Sequence, residues 1–239
     1  MNIFYLDEDP KICAQQHNNR HVVRMCYEYA EMLSYAFQMK DIDYGYRIRL
    51  HMHKHKCSRW ARETIENWRW LYKLCIALGE EYKYRFNHTK DHLSVSIAKG
   101  LPEPTPDIVP EGEFNDPPLA MGYAYTFANN RRDCYRLFYR IGKSYFNEWK
   151  KREKPPWYDK ILDEVPHSDW LKWLEQKLAE LWVLSEGLNV EKKKRRLFYM
   201  LKGPVKKLSD EHPKKKPILD LIQEIESNYP ATPGPLWTP

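Results

Sequence analysis

The stretch RHVVRMCYEYAEMLSYAF, residues 20–37, has the clearest helix pattern in the 239-residue chain. Its apolar residues recur every three or four positions and would form one face of an α-helix: Val22, Cys26, Tyr29, Leu33 and Ala36. A second stripe lies beside that face: His21, Arg24, Glu28, Met32 and Tyr35. The pattern predicts a helix that packs into a core and presents Arg24 beside Glu28 at its edge. A solvated salt-bridge face with a satisfied histidine is the alternative interpretation.

A second helix is predicted over residues 58–86. Ser58 is a residue type that caps helix N-termini, and tryptophans and leucines follow it at helical spacing. The side chains around this apolar stripe, with one more in the following loop, are candidates for binding phosphates and an extruded base: Arg59, Arg62, Trp70, Arg85 and His92. Aromatic residues at helical spacing are also typical of a plain core.

A third helix is predicted over residues 130–151, with apolar residues on one side and a basic flank on the other. Arg136, Arg140 and Lys143 lie four and three positions apart, so they repel one another unless an anion or a carboxylate lies opposite. We expect Glu28 or a DNA phosphate in that place. A buried Lys143 would also suit Schiff-base chemistry, because burial lowers the pKa of a lysine amine.

Residues 47–57, RIRLHMHKHKC, alternate strictly, which predicts an extended segment with a histidine-rich face. Two interpretations are open: a basic loop that contacts phosphates, or a zinc site made of His51, His53, His55 and Cys57. Alternate residues on a strand lie about 7 Å apart, which is too far to close a tetrahedron easily. We therefore favour the phosphate-contacting loop and expect no cofactor.

The remaining segments complete the predicted organisation. Residues 3–5 are predicted as a short strand, and residues 101–118, with six prolines, as a loop that is either a lid over a substrate or disordered. Helical patterns resume at Ser168, continue in a short helix that starts at the KKKRR run of residues 192–196 and in a last helix that Pro217 opens, and end in an extended tail. The expected fold is mainly α: a compact bundle of three long helices with long loops over residues 1–160, followed by a basic helical extension over residues 161–239.

Composition and charge limit the class of protein. The hydrophobic content of 42% and aromatic content of 14% exclude global disorder, and no apolar run reaches the length of a membrane span. Five widely spaced cysteines are typical of reduced thiols in a cytoplasm. The net charge of +6 is concentrated between residues 150 and 216, which contain eighteen Lys and Arg but only eleven Asp and Glu. That imbalance favours a nucleic-acid partner.

His21 followed by Glu28 seven residues later on an early helix resembles the phage pyrimidine-dimer DNA glycosylase/AP-lyase family of the endonuclease V type. Two weaker similarities follow in the same order, the run ending EEYKYRFN at residue 87 and the run closing in KPPWY at residue 158. The chain is also similar to a group of uncharacterised phage proteins that share an HVV-[KR]-M start.

The resemblance implies that Glu28 is the catalytic carboxylate, with His21 and Arg24 beside it. It also implies that a free N-terminal amine forms a Schiff base with the deoxyribose. An α-amine suits this role because its ordinary pKa, about 7.7–8.0, leaves part of it neutral near pH 7. In this chain Asn2 is bulky, so we expect Met1 to be retained and to supply that amine.

The sequence thus predicts an enzyme that flips a modified or damaged pyrimidine out of double-stranded phage DNA, in the host bacterial cytoplasm, and acts at its base or glycosidic bond. Glu28 would stabilise the developing oxocarbenium ion or position the attacking group, and His21 would bind phosphate. One alternative is a phage thymine-hypermodification transferase, in which Glu28 deprotonates an amine or amino acid that is joined to an activated base. The other is a non-catalytic basic DNA-binding accessory protein.

Overall fold

The computed structural model describes residues 1–44, 51–121, 128, 130–143 and 146–164, together with positions 216, 219, 220 and 223. The chain divides into two compact units, Met1–Pro166 and His167–Pro239. The described part of the first unit is mainly helical and contains no strand. Its helices are α1 (Pro10–Gln16), α2 (Asn19–Gln38), α3 (Lys56–Trp60), α4 (Ile65–Phe86), α5 (Leu93–Gly100), α6 (Arg131–Leu137), a π-helical segment (Phe138–Gly142) and α7 (Trp157–Glu164).

The core is built on the two long helices α2 and α4, and the predicted helix over residues 20–37 is confirmed. The side-chain oxygen of Asn18 accepts a hydrogen bond from the backbone N–H of His21 at 2.8 Å and caps α2. Helix α5 packs closely against α4 because Gly79 has no Cβ: a Cβ there would lie 2.6 Å from Cγ1 of Val95.

Residues 3–6 are fully buried, but they do not form the predicted strand. No strand among the described residues lies beside them, so side chains satisfy their backbone groups. The Tyr29 hydroxyl accepts from the Phe4 N–H at 3.0 Å, the Cys13 thiol donates to the Phe4 carbonyl at 3.2 Å, and Arg136 Nε donates to the Leu6 carbonyl at 2.9 Å.

The predicted N-cap of the second long helix is wrong. Ser58 lies inside the short helix α3, and α4 begins only at Ile65, where the Thr64 side chain accepts from the backbone N–H of Asn67 at 3.2 Å. Contacts distant in sequence fix this later start. The Ile65 N–H donates to the Pro110 carbonyl at 2.8 Å, and this bond holds the first residue of α4 against the proline-rich loop.

The predicted helix over residues 130–151 is also wrong in its second half. Helix α6 gives way to the π-helical segment, and residues 147–151 are irregular or turn. Tertiary contacts override the local helical pattern here. The Glu148 carbonyl accepts from the Asn19 N–H at 2.8 Å and the Asn147 side chain accepts from Asn18 at 2.8 Å, so this stretch binds the N-terminus of α2.

The proline-rich residues 101–118 are a loop, as predicted, and they pack against α3 and α4. Trp60 Nε1 donates to the Asn115 carbonyl at 2.9 Å, and the Phe114 ring lies 5.6 Å from the Trp70 ring. Val109 is completely buried. The loop therefore covers the aromatic side of α4, which contradicts the disordered alternative, while its expected role as a lid over a substrate stays a prediction.

Of the predicted helices after residue 161, the one from Pro217 onwards is described at Leu219, Asp220 and Gln223, which are helical. The patterns after Ser168 and the KKKRR run at 192–196 lie outside the described residues. No helix in the described ranges has the length and apolar character needed to cross a membrane.

The side chain of Arg85 is completely buried and links α4 to the C-terminal end of α1. Its guanidinium donates to Glu81 at 2.8 Å and to the backbone carbonyls of His17 and Gln15, each at 2.7 Å. Arg152 donates to the same carboxylate at 2.6 Å. The predicted role of Arg85 in binding nucleic acid does not fit this placement, because solvent does not reach its guanidinium.

We expect Arg85→Met to lower the free energy of unfolding by about 3–5 kcal/mol, because it leaves the carbonyls of His17 and Gln15 without this donor and removes one of the two arginine partners of the buried Glu81 carboxylate. Urea unfolding followed by circular dichroism measures the change. Arg69→Met is the matched control, since Arg69 pairs with Glu66 and Glu103 at the surface and such pairs contribute about 0–1 kcal/mol. Equal losses in the two variants would contradict a structural role for Arg85.

Candidate active site

The carboxylate of Glu28 lies where the N-terminus of the chain meets α2. Its Oε2 is 3.8 Å from the Met1 amine and accepts from the Asn2 N–H at 3.3 Å. Its Oε1 accepts from Arg24 Nε at 2.9 Å. The Glu28 side chain is 12% exposed and that of Arg24 is 66% exposed. The carboxylate is therefore nearly enclosed but borders on solvent through the arginine.

The N-terminus is held in place by contacts around the first two residues. The Asn2 side chain donates to the Ala120 carbonyl at 3.0 Å and accepts from the Tyr135 hydroxyl at 2.9 Å. The Ser58 hydroxyl lies 2.9 Å from the Met1 sulfur. Because residues 3–6 are anchored in the core, these contacts fix the direction in which the chain presents its amine to Glu28.

The charge of this carboxylate acts on two further basic side chains, Lys143 and His55. Lys143 is partly buried, with its Nζ 4.9 Å from the centre of the Phe138 ring and 5.7 Å from that of Phe146. Burial lowers the pKa of the Lys143 amine, and the charge of Glu28 acts in the opposite direction. The pKa of His55 is also lowered, first by burial and then by the N-terminal amine and Lys56. We call Met1, Arg24, Glu28, His55 and Lys143 the Glu28 site.

His21 is buried in the core, whereas the resemblance implies that it lies beside Glu28 in the site. Burial, and secondarily the charges of His17 and Lys143, lower its pKa to about 2, so the ring is neutral. Its Nδ1 is 2.5 Å from the Tyr139 hydroxyl and 3.3 Å from the Asn18 amide nitrogen, both of which can donate. The proton is then on Nε2. A neutral imidazole can donate one hydrogen bond, but it brings no positive charge to a phosphate, contrary to the role expected for His21.

The predicted basic flank of the third helix is divided in two. Arg136 donates to Leu6 and lies over the Trp157 ring at 5.4 Å, while Arg140 lies 5.1 Å from the centre of the Tyr158 ring. Both arginine side chains pack towards α7, whereas Lys143 lies beside the rings of Phe138 and Phe146. The π-helical segment explains the division, because its wider turn breaks the 3.6-residue period on which a single flank depends.

Most of the other predicted nucleic-acid contacts have structural roles. Trp70 is nearly buried and donates to the Glu8 carbonyl at 2.7 Å. Arg62 donates to the carbonyls of Ser58 and His53 at 3.0 and 2.7 Å. His92 caps α5 by accepting from the Ser94 N–H at 3.2 Å, and burial lowers its pKa. Arg59, by contrast, is exposed on α3.

The predicted extended segment at residues 47–57 is wrong where the structure describes it: residues 51–55 are turns and bends, and Cys57 lies in α3. His55 caps that helix by accepting from the Cys57 N–H at 3.2 Å. Burial raises the pKa of the Cys57 thiol to about 12. Within the described ranges, no three His, Cys, Asp or Glu side chains lie close enough together to bind a metal ion. His51, His53, His55 and Cys57 are among the residues that do not form such a group.

Sequence reasoning selected Met1, Arg24, Glu28 and Lys143, and the structure brings the first three of them into contact. It missed the placement of His55, and also Asn2 and Tyr135, which position the N-terminus. No local pattern could have revealed them, since the residues they contact are distant in sequence. Comparisons of the chain with protein-family models, with curated proteins and with solved structures find no match.

We expect acid to destabilise the protein through its two buried neutral histidines. Burial lowers the pKa of His17 to about 3 and that of His21 to about 2, from an ordinary 6.5. Below pH 6.5 the unfolded chain therefore binds more protons than the folded one. The free energy of unfolding falls as the pH falls, by up to about 1.4 kcal/mol per pH unit for each histidine.

Urea unfolding at pH 7 and pH 5 tests this expectation. The loss of stability between the two pH values should be smaller in His21→Gln than in the wild type, by up to about 2 kcal/mol, because one titrating imidazole is gone. His88→Gln, which removes an exposed imidazole, is the matched control. An unchanged loss in His21→Gln would show that this ring is not held neutral.

Proposed function

We propose that the protein is a DNA-acting enzyme of the glycosylase type, which flips a modified or damaged pyrimidine out of the duplex and acts at its glycosidic bond. The observation that supports this proposal is the 3.8 Å approach of the Met1 amine to the nearly enclosed Glu28 carboxylate. An amine beside a carboxylate is the pair that the endonuclease V resemblance implies. Here the two groups come from positions 27 residues apart in the sequence.

The chemistry follows from these two groups. Cleavage of a glycosidic bond leaves positive charge on C1′ and O4′ of the deoxyribose, and a fixed carboxylate in a partly dry site stabilises that charge. An amine or a water molecule then adds to C1′. Glu28 is suited to both tasks, because Arg24 and the Asn2 N–H fix the orientation of its oxygens.

The proposed partner is double-stranded phage DNA, and the proposed location is the host bacterial cytoplasm. Exposed positive side chains support a polyanionic ligand: Arg24 is mostly exposed beside the Glu28 carboxylate, and Arg59 is exposed on helix α3. We further propose that the helical fold of residues 1–160 is the catalytic domain. Residues 161–239, with their basic runs, would be a helical extension that widens the DNA footprint.

Glu28→Gln should abolish release of the base, with a loss of about 10²–10⁴-fold in rate, because the amide keeps the shape of the side chain but not its charge. The measurement is mass spectrometry of nucleosides and free bases after incubation with DNA that contains modified or damaged pyrimidines. Glu63→Gln, at an exposed position before α4, is the matched control.

Three outcomes are distinguishable. Free base or abasic sites that require Glu28 support the glycosylase. A heavier nucleoside would contradict it and indicate a transferase that joins an amine to the base. Salt-sensitive DNA binding with unchanged nucleosides would indicate a non-catalytic binding protein.

Arg24→Gln should weaken binding to duplex DNA and reduce the slope of log Kd against log salt concentration by about 1, because one phosphate contact is lost. Fluorescence anisotropy at several salt concentrations measures the slope. Lys73→Gln, which removes one charge from the exposed side of α4, is the matched control. Equal slopes in the wild type and Arg24→Gln would place the DNA contact elsewhere.

A further inference from the structure

We propose that His51 is a second catalytic residue, the general base that removes a proton from the group attacking C1′, and that the buried Glu31 carboxylate positions its ring. The inference rests on the proposed function and adds to it, since Glu28 and the Met1 amine keep their roles. It concerns the face of α2 one helical turn beyond Glu28, where His51 contacts Glu31.

Glu31 is a carboxylate enclosed by the protein. Its side chain is only 2% exposed, and the Tyr35 hydroxyl, one turn further along α2, donates to its Oε1. Burial, and then the hydrogen bond to Glu31, raise the pKa of Tyr35, so the hydroxyl keeps its proton and remains a donor. A carboxylate leaves water only at a large cost unless it is paired. Glu31 is therefore suited to hold a hydrogen-bond donor in one orientation.

The second partner of Glu31 is His51, whose Nδ1 lies 3.2 Å from Oε1, within hydrogen-bonding distance. An ionised carboxylate only accepts hydrogen bonds, so the proton of a neutral imidazole in this contact is on Nδ1. Nε2, at the opposite edge of the ring, then has the lone pair and is the atom that can take a proton. The His51 side chain is 46% exposed, so a substrate can reach it.

The turn that carries His51 is anchored to its surroundings. The Met52 N–H donates to the Tyr35 hydroxyl at 3.4 Å, which ties the turn to α2. Arg62 donates to the His53 carbonyl at 2.7 Å, which ties it to the residues after α3. A general base must be held within reach of the proton that it removes, and these bonds limit the movement of the ring.

Two connections place this pair next to the Glu28 carboxylate. Glu28 and Glu31 are three positions apart on α2, so their Cβ atoms are about 5–6 Å apart on one face of the helix. The segment that begins with His51 continues into α3, where the Ser58 hydroxyl lies 2.9 Å from the Met1 sulfur. Helix α2 and this segment therefore both take part in the two groups of contacts.

The chemistry needs a second group of this kind. Glu28 stabilises the positive sugar only while it keeps its negative charge, so it cannot take up a proton at the same moment. A base beside it, with a carboxylate of its own, can. The imidazolium that forms on His51 is stabilised by the charge of Glu31.

The step balances without an oxidant or a further reactant. A lone pair of the attacking water oxygen forms a bond to C1′, while the glycosidic bond breaks and its electron pair leaves with the base. One water proton moves to Nε2 of His51. The imidazolium then passes that proton through solvent to the departed base, which restores His51. When the Met1 nitrogen attacks in place of water, His51 accepts one of its protons in the same way.

The position of the proton on His51 tests the geometry without any substrate. In the ¹⁵N-labelled full-length protein at pH 8, nitrogen NMR distinguishes the two neutral forms of each histidine ring, and the signals lost in His51→Ala assign this residue. We expect the proton on Nδ1. A proton on Nε2 would overturn the assignment, because Nε2 could not then accept another.

Chemical rescue tests the catalytic role. His51→Ala should release base about 10²–10⁴-fold more slowly than the wild type from the same modified or damaged DNA, because the general base is gone. Added imidazole should restore part of the rate, since position 51 is open to solvent, and a purely structural histidine would give no such response. His88→Ala removes an exposed imidazole and is the matched control, with the wild-type rate whether or not imidazole is added.

Glu31→Gln tests the positioning residue. The amide oxygen still accepts from Nδ1, so the proton on His51 should keep its place, but the charge that stabilises the imidazolium is lost. We expect the rate of base release to fall by about 10–100-fold while the circular dichroism spectrum is unchanged. A wild-type rate in Glu31→Gln would contradict this role.

The possible failures are distinguishable. A wild-type rate in His51→Ala, or a loss of rate that imidazole does not restore, would overturn the role of His51. Either result would leave the glycosylase intact, because base release by the wild type would still require Glu28. Absence of base release by the wild-type protein would remove the proposed function itself, and this inference with it.

Discussion

The constraint on which the rest of the structure depends is the burial of an extended N-terminal segment that has no partner strand among the described residues. Backbone N–H and C=O groups that leave water must find partners, and in a helical protein no sheet provides them. Side chains do so here: Tyr29 accepts from Phe4, Cys13 donates to Phe4 and Arg136 donates to Leu6. Three helices are thereby tied to one segment. The same anchoring brings the Met1 amine to Glu28, so the requirement to satisfy buried backbone groups also builds the candidate site.

The π-helical segment has the second largest effect on the site. A regular helix through residues 130–151 would place Arg136, Arg140 and Lys143 on one flank, where they would repel one another. The wider turn instead leaves the two arginines against the aromatic rings of α7 and the lysine beside the rings of Phe138 and Phe146. A single local irregularity in the helix therefore gives the two arginines and the lysine different aromatic neighbours.

The charged and polar groups of the core differ from those of the site in how fully they are paired. Arg85 with Glu81, and the neutral His17 and His21, are enclosed and supplied with hydrogen-bond partners. Groups of this kind stabilise one arrangement of the chain because unpaired alternatives are costly. At the Glu28 site, by contrast, Arg24 is mostly exposed and Lys143 rests on aromatic rings. Groups that are buried yet incompletely paired are those able to change protonation or to meet a ligand.

The sequence by itself determined the helical class, the helix around residues 20–37 and the pairing of Arg24 with Glu28, because these depend on spacing along one helix. It also selected Met1 and Lys143 as amines of interest. Only the tertiary structure decided that α4 begins at Ile65, that the third helix ends early and that Arg85 and Trp70 belong to the core. The physical reason is the same in each case. Local helix propensities amount to a few tenths of a kcal/mol per residue, and contacts between residues far apart in the chain outweigh them. The bonds of Ile65 to the Pro110 carbonyl and of Asn19 to the Glu148 carbonyl are two such contacts.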